Sequence, residues 1–330
     1  LDAAQRDVEA LKRVLPKNPE INFTVGLLAL ERGRTNDAVD AFNTALRADP
    51  EHTSSLFYLG RIALDSGNLE SAENQLVRHL KSRADSPVAE RTLALVKLRQ
   101  NQPRETEKLT RDLIRRDPMD VASLTLLAAS LGMQSRIDVS LHYYRTALEI
   151  APEITETRLD YASALLKNSQ QSEAETELRR ILETNPTDLR ALRTLTVLYI
   201  ENQRLKEAMG IAEDYIEAYP DSPDPWVLKG TIFMASSQLD DAETALQTAT
   251  TLDPGNISAN NALAGIAVQQ GDLAAAETRY QEILGAHPEH LQSLLNLAGL
   301  QFSLGKAEQR RKTLERAVEE KHLVPYRVVK

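Results

Sequence analysis

Apolar residues along this chain recur at intervals of three and four, which is the spacing of one face of an α-helix. In the stretch that precedes Gly33, Phe23, Leu27 and Leu30 follow this spacing. A second stretch with the same spacing follows Gly33, and glycine tolerates the left-handed backbone in which helices end. The same arrangement returns along the whole chain. The pattern therefore predicts successive pairs of antiparallel helices joined by short turns.

A proline near the end of most helix pairs returns every 34 residues, a period that indicates a repeat protein. Proline cannot continue a helix, so each one sets a boundary. Steps of this length from Pro254 reach Pro16, Pro50, Ala84, Pro118, Pro152, Pro186, Pro220, Pro288 and His322. We predict that residues 1–18 hold the second helix of a truncated repeat. Residues 19–324 form one continuous domain of nine repeats, and residues 325–330 begin a further truncated repeat or a tail. The predicted repeats start at residues 19, 53, 87, 121, 155, 189, 223, 257 and 291.

Small and bulky residues alternate at fixed positions of the repeat. The eighth position is Gly26 in the first repeat and Gly230 in the seventh, while the twenty-fourth is Phe42 and Leu246. A small residue that faces a large one predicts two closely packed helices. One such unit cannot bury its apolar face alone, so stability must come from stacking on its neighbours.

This pattern resembles the tetratricopeptide repeat family over essentially the whole chain. The resemblance implies an all-α solenoid, a right-handed superhelix of about nine and a half helix-turn-helix repeats. It also implies a non-enzymatic scaffold that binds a partner protein or peptide along a concave groove. In repeat style the chain is similar to bacterial envelope and exopolysaccharide-export tetratricopeptide proteins, including lipoproteins of the PEP-CTERM sorting-associated type.

In that family, residues of the first helices line the groove, chiefly at positions two, five, nine, twelve and thirteen. Carried over to this chain, they give an apolar stripe beside a group of arginines, and a second basic spot further on. Arginine can bind a carboxylate through two parallel hydrogen bonds, so we expect an extended or helical peptide with acidic and apolar residues. In the alternative interpretation, the same side chains cover neighbouring apolar surface or contact an upstream repeat. The predicted groove residues are Phe23, Leu27, Phe57, Arg61, Leu64, Arg91, Leu95, Arg99, Arg190 and Arg193.

Composition and motifs narrow the class of function. The formal net charge of −9 argues against nucleic acid as the main partner, because phosphate binding needs a concentrated basic surface. The absence of cysteine excludes disulfides, thiolate metal sites and a cysteine nucleophile. His287 and His290 flank a proline at a helix end, so we do not expect them to bind a metal together. No phosphate loop or nucleophile elbow occurs, and we expect neither enzyme activity nor a cofactor.

Two alternatives to a free-standing scaffold stay open at this stage. The chain begins at Leu1 without a methionine, and we interpret it as a piece of a longer protein. It could then be a regulatory or targeting segment of a larger enzyme, or a carbohydrate-binding groove. The longest apolar stretch, Leu124–Met133, is too short to span a membrane. Periplasm or cell envelope is slightly favoured over cytoplasm, and the oligomeric state is left open.

The third repeat departs furthest from the family pattern. Lys97, Thr106 and Thr110 occupy positions that are usually apolar or small, and Pro103 enters at the start of the second helix. One interpretation is a proline in the first helical turn, where its missing N–H group has no consequence. The other interpretation is a soft joint between repeats.

Overall fold

The structure is a computed structural model that describes residues 8, 10, 11 and 13–319. That part of the chain contains no β-strand, and eighteen α-helices lie between residues 19 and 319, which confirms the predicted all-α class. The helices are α1 (Pro19–Glu31), α2 (Thr35–Ala48), α3 (Thr53–Asp65), α4 (Leu69–Ser82), α5 (Pro87–Arg99), α6 (Pro103–Arg116), α7 (Val121–Met133), α8 (Ile137–Ile150), α9 (Thr155–Lys167), α10 (Gln171–Thr184), α11 (Leu189–Glu201), α12 (Leu205–Ala218), α13 (Pro223–Ala235), α14 (Leu239–Leu252), α15 (Ile257–Gln270), α16 (Leu273–Ala286), α17 (Leu291–Ser303) and α18 (Ala307–Glu319).

The odd-numbered helices are the first helices of the pairs, and the even-numbered ones are the second helices. Successive first helices begin at residues 19, 53, 87, 121, 155, 189, 223, 257 and 291. The grouping of all nine pairs into one continuous domain stays a prediction. So do the truncated repeats at the two ends, because residues 1–7 and 320–330 lie outside the described part of the chain.

The turn inside every pair contains one residue in the left-handed region, always at the fifteenth position of the repeat. Four pairs use glycine there, and the remaining five place an ordinary residue at φ between 59° and 61°. A residue with a Cβ is strained in this region by about 1–2 kcal/mol, and asparagine tolerates it best. The glycines are Gly33, Gly67, Gly271 and Gly305, and the others are Asn101, Ser135, Ser169, Gln203 and Ser237.

The chain forms two compact units, Leu1–Glu177 (unit 1) and Leu178–Lys330 (unit 2), which we describe separately. In unit 1, a Cβ atom added to Gly26 would lie 2.3 Å from a ring carbon of Phe42. In unit 2, a Cβ atom on Gly230 would lie 2.6 Å from Cγ of Leu246. The small residue at position eight therefore lets the two helices of a pair approach until the bulky residue at position twenty-four fills the space between them.

In the third repeat (residues 87–120), the unusual polar residues have hydrogen-bond or ion-pair partners. Pro103 is the first residue of α6, so it begins a helix rather than interrupting one. The hydroxyl of the fully buried Thr106 donates to the carbonyl of Ala94 at 3.2 Å, and that of Thr110 donates to the carbonyl of Thr106 at 2.8 Å. Lys97 forms an ion pair with Glu73 of the preceding repeat. These contacts replace apolar packing with hydrogen bonds whose partners are all present.

Candidate functional site

The first helices of unit 1 border a cleft of about 390 Å³. It lies between α5 and α7 and reaches the start of α9. Six of its lining residues are aliphatic, three are threonines and one is an arginine. We call it the first-helix cleft, and its lining consists of Val88, Arg91, Thr92, Leu95, Val121, Ala122, Thr125, Leu126, Ile154 and Thr157.

Arg91, at the edge of the first-helix cleft, forms an ion pair with the residue that caps α7. Its Nη1 atom lies 2.8 Å from Oδ2 of Asp120, and the same oxygen accepts a hydrogen bond from the hydroxyl of Ser123. The other carboxylate oxygen, Oδ1, accepts from the backbone N–H of Ser123. Burial alone would raise the pKa of Asp120, but the bonds from Ser123 and Arg91 outweigh it and hold this pKa below its usual range. The charge of Arg91 is therefore already compensated within unit 1.

Ile154 is an unusual lining residue because it occupies the N-cap of α9. The N-caps of the other first helices are polar, and five of them between α3 and α17 accept a backbone hydrogen bond through their side chains. Ile154 makes no such bond, although a good cap contributes about 1 kcal/mol. Its side chain lines the first-helix cleft instead. The cleft is thus apolar at a position where the repeat elsewhere carries a polar group.

The predicted aromatic residues lie at the amino-terminal end of unit 1 and are only partly exposed. The ring of Phe23 lies 5.7 Å from that of Phe42 and 5.6 Å from that of Tyr58. The ring of Phe57 lies 5.7 Å from Tyr58, and Leu27 packs against the same core cluster as Phe23. These side chains contribute mainly to packing between α1, α2 and α3, and only part of their surface faces solvent.

Leu64 does not line an exposed groove, which corrects our prediction for this residue. It is 5% exposed and belongs to the core cluster that also contains Leu76, Leu93 and Val96. The side chain points into the interior because the twelfth position of α3 faces the following helix pair. The backbone carbonyl of Leu64 accepts a hydrogen bond from the guanidinium of Arg99 at 3.3 Å.

The three arginines predicted beside the apolar stripe differ in how far they are paired. Arg61 is exposed and makes no ion pair or hydrogen bond through its side chain within the described part of the chain. Arg99 is exposed and donates to a carbonyl, whereas Arg91 is bound to Asp120. Leu95 is half-buried in the first-helix cleft. Of the residues predicted from the sequence, the structure places Arg91 and Leu95 together in one cleft.

The second predicted basic spot belongs to unit 2. Arg190 and Arg193 are both exposed on α11, and a guanidinium nitrogen of Arg193 lies 3.7 Å from a carboxylate oxygen of Asp224.

Sequence reasoning missed most of the first-helix cleft, including Val121 and Ile154. The isoleucine at an otherwise polar capping position is the signal that could have revealed it.

Two further kinds of site are absent from the described residues. No group of three or more His, Cys, Asp or Glu side chains there could hold a metal ion. The described helices likewise include none with the length and apolar content that a membrane span requires.

Comparison with known proteins identifies the repeat. A family model described as tetratricopeptide repeat matches residues 23–87, and one described as tetratricopeptide repeat protein 21 second ARM domain matches residues 77–305. The structure is similar to the crystal structure of yeast Tom70 with a TM-score of 0.60 at 11% identity, covering 96% of this chain and 88% of that one. At this identity the likeness concerns the fold alone.

Two curated relatives are similar over most of this chain. Cellulose synthase operon protein C of Pseudomonas fluorescens (strain SBW25) is 23% identical over 89% of the chain, and human protein O-mannosyl-transferase TMTC3 is 21% identical over 86% of it. The chain spans only 27% and 32% of the lengths of these two proteins. Tetratricopeptide repeats typically build non-catalytic scaffolds for protein–protein interaction. Because one of the two family models covers more than half of it, the chain belongs to the tetratricopeptide repeat family.

Proposed function

We propose that this chain is a non-enzymatic scaffold that binds a peptide segment of a partner protein along the first helices of unit 1. The first-helix cleft is the observation that carries this proposal. Its aliphatic lining would bury apolar side chains of a ligand, and the hydroxyl groups of Thr125 and Thr157 lie within hydrogen-bond distance of each other at 3.1 Å. The isoleucine at the cap of α9 supports a ligand-binding role, since this residue forgoes a stabilising cap.

The exposed arginines on the first helices of unit 1 favour an acidic ligand. Arg61 occupies the ninth position of the second repeat, which is the position that Leu95 holds in the cleft of the third. Its exposed guanidinium has no partner within the described residues, so it is available for a carboxylate. Arg91 would have to leave Asp120 before it could bind a ligand, and we therefore assign the leading role to Arg61, together with Arg99.

The biological setting is a separate part of the proposal. The likeness to cellulose synthase operon protein C supports a scaffold in a bacterial envelope assembly for polysaccharide export or protein sorting. The likeness to protein O-mannosyl-transferase TMTC3 supports the alternative of a regulatory or targeting segment of a larger enzyme. Both relatives extend far beyond the part that this chain matches, so the sequence of the surrounding gene would discriminate between these settings.

A peptide-display selection on the 330-residue chain tests the binding proposal. We expect selected peptides to combine Leu, Ile or Phe with Asp or Glu, and to bind Arg61→Glu at least about tenfold more weakly. Arg104→Glu is the matched control, because Arg104 is exposed on the second helix of the third repeat and carries the same charge. Equal losses in both variants would show a general charge effect and would overturn the assignment to Arg61.

Ile154→Asp separates binding from folding. The new carboxylate can cap α9 and should leave stability unchanged or raise it by about 1 kcal/mol, while it places a charge in the aliphatic cleft. We expect peptide affinity to fall by about tenfold or more, with no loss of thermal stability. Ser222→Asp changes the corresponding cap of α13 and should leave affinity unchanged. Full peptide binding by Ile154→Asp would exclude the first-helix cleft as the site.

A further inference from the structure

The carbonyl of the proline that ends a repeat usually accepts a hydrogen bond from a side chain of the next repeat. Arg78 donates to Pro50, and Arg316 to Pro288, across 28 residues. At four other junctions the donor lies six residues after the proline, as where Asn260 donates to Pro254. These hydrogen bonds join the end of one repeat to a helix of the next, and we call each such junction a closed seam.

The junction at Pro186 differs from the other three proline junctions of unit 2, at Pro220, Pro254 and Pro288. At those junctions the donor lies either six or 28 residues after the proline. At Pro186 these two positions hold Leu192 and Asp214. Leucine has no polar group and a carboxylate only accepts hydrogen bonds. Neither side chain can therefore donate to the carbonyl of Pro186. The donors that close the other seams of unit 2 are missing from these two positions, and we call this junction an open seam.

A cavity of about 360 Å³ occupies the open seam between α10, α11 and α12. Its walls are largely apolar and include a pair of tyrosine rings whose centroids lie 5.4 Å apart. We call it the Pro186 cavity, and its principal apolar residues are Leu182, Leu192, Leu195, Ile211, Tyr215 and Tyr219.

The polar groups of the Pro186 cavity are mostly acceptors. The carboxylates of Glu183 and Asp214 line it, are exposed, and make no ion pair within the described part of the chain. Arg179 also lines the cavity, and its guanidinium donates to the hydroxyl of Tyr199 at 2.5 Å and lies 5.8 Å from the centre of that ring. The cavity thus offers two carboxylates and a backbone carbonyl to a ligand that brings donors.

We infer that the Pro186 cavity binds an arginine side chain of a partner protein. The guanidinium supplies to the Pro186 carbonyl and to Asp214 the donors that Arg78 supplies within the chain at Pro50. The aliphatic stem of the arginine packs on Ile211 and Tyr219. Arginine fits better than lysine, because its planar head presents several donors in fixed directions and can bind a carboxylate bidentately.

This second site lies in unit 2 and selects the opposite charge from the first-helix cleft of unit 1. It does not rest on the proposed function, because none of its residues belongs to that cleft. If an experiment shows no binding at one site, the proposal for the other site is therefore unaffected. A scaffold with both sites could hold two partners of different chemistry on separate surfaces.

The test titrates the chain with the peptide acetyl-Leu-Arg-Leu-amide and follows backbone resonances of α10 and α12 by NMR. We expect saturable shifts at Ile211 and Ala218 with a Kd in the roughly millimolar range of a single buried side chain. The same peptide with neutral citrulline in place of arginine should bind at least about tenfold more weakly. Equal affinity for both peptides would mean that the cavity recognises apolar groups only, and would overturn the inference.

Two variants of Asp214 complete the test. Asp214→Arg recreates the arrangement of Arg78 and should close the cavity, so that binding of the arginine peptide is lost. Glu282→Arg makes the same charge change at the same position two repeats later, at a seam that Asn260 already closes, and should bind as the wild type does. Asp214→Asn preserves the shape and should weaken binding several-fold. Retained binding by Asp214→Arg, or no saturable shift with the wild type, would refute the site.

Discussion

The third and seventh repeats build the same helix pair from different interactions. Both consist of a first helix of 13 residues and a second of 14, and both begin with proline. In the seventh, Gly230 allows the fully buried Leu246 to fill the space between the helices. In the third, Ala94 faces Thr110, whose hydroxyl is satisfied by the backbone of its own helix. The same helix pair can thus be held together either by interlocking apolar side chains or by polar side chains that have hydrogen-bond partners.

The inter-repeat contacts of the two regions, in contrast, are alike in one respect. Lys97 of the third repeat forms an ion pair with Glu73 of the second, and Gln100 donates to the same carboxylate at 2.9 Å. In the seventh repeat, Lys229 occupies position seven, and its Nζ atom lies 3.7 Å from Oε1 of Glu213 in the sixth repeat. Trp226 of the seventh repeat packs against the core. A polar residue at a usually apolar position is tolerated in both regions because its partner lies in the preceding repeat.

The largest effects are expected from changes to the Gly230–Leu246 pair, which break the packing of the seventh repeat. The added Cβ would lie 2.6 Å from Leu246, and overpacking of this kind costs about 1–3 kcal/mol. Leu246→Thr should also destabilise, by roughly 2–4 kcal/mol, because it leaves a cavity. The double variant copies the Ala94–Thr110 pair, and we expect it to recover about 1–2 kcal/mol of the summed loss. Hydrogen exchange of α13 and α14 measures each change.

Gly210→Ala is the control for this cycle. Gly210 lies within α12 and has open space where a Cβ would be, so alanine should stabilise that helix by about 0.5–1 kcal/mol. Strictly additive losses in the Gly230 and Leu246 double variant would show that the two pairs are not interchangeable.

Lys97→Met tests the ionic contact of the third repeat through pH. The hydrogen bond from Lys97, followed by that from Gln100, holds the pKa of Glu73 below its usual range. Since the unfolded chain then binds more protons, the contribution of Glu73 is present above about pH 4.5 and is lost as the pH falls through the folded value. The variant should therefore show a shallower decrease of unfolding free energy between about pH 5 and pH 3. Because Glu73 is one-third exposed, we expect a modest change.

Lys108→Met removes an equivalent charge from an exposed position of α6 and should preserve the pH dependence of the wild type. If Lys97→Met and Lys108→Met gave the same acid profile, the pairing with Glu73 would contribute nothing to stability.

The smallest effect concerns the turns of the two repeats. Ser237 of the seventh and Asn101 of the third both adopt a left-handed backbone, with φ of 60° and 59°. Ser237→Gly should stabilise its repeat by about 0.5–1 kcal/mol, because glycine removes the strain of the Cβ. Asn101→Gly should gain less, since asparagine tolerates this region. The two thermal midpoints measure the difference, and a larger gain at Asn101 would contradict the explanation.

Much of the fold could be read from residues close together in the chain. Helix pairs, their starts and the contact between positions eight and twenty-four follow from the apolar spacing and from prolines such as Pro254. The candidate site was less accessible to such reasoning. Arg91 and Leu95 were assigned to the groove from their positions in the repeat, whereas the buried Leu64 was assigned there wrongly. The exposure of a first-helix residue depends on side chains one repeat away, which periodicity does not describe.

The sequence by itself determined the 34-residue period, the all-α class and the absence of any cysteine chemistry, because each depends on residue type and local spacing. Only the tertiary structure decided which polar residues are satisfied and which surfaces stay open. Lys97 has a partner because Glu73 lies on the neighbouring second helix, and the Pro186 seam is open because Asp214 stands where Arg78 stands elsewhere. Both outcomes follow from pairs of side chains that stacking brings together across successive repeats, so neither is visible in a single repeat.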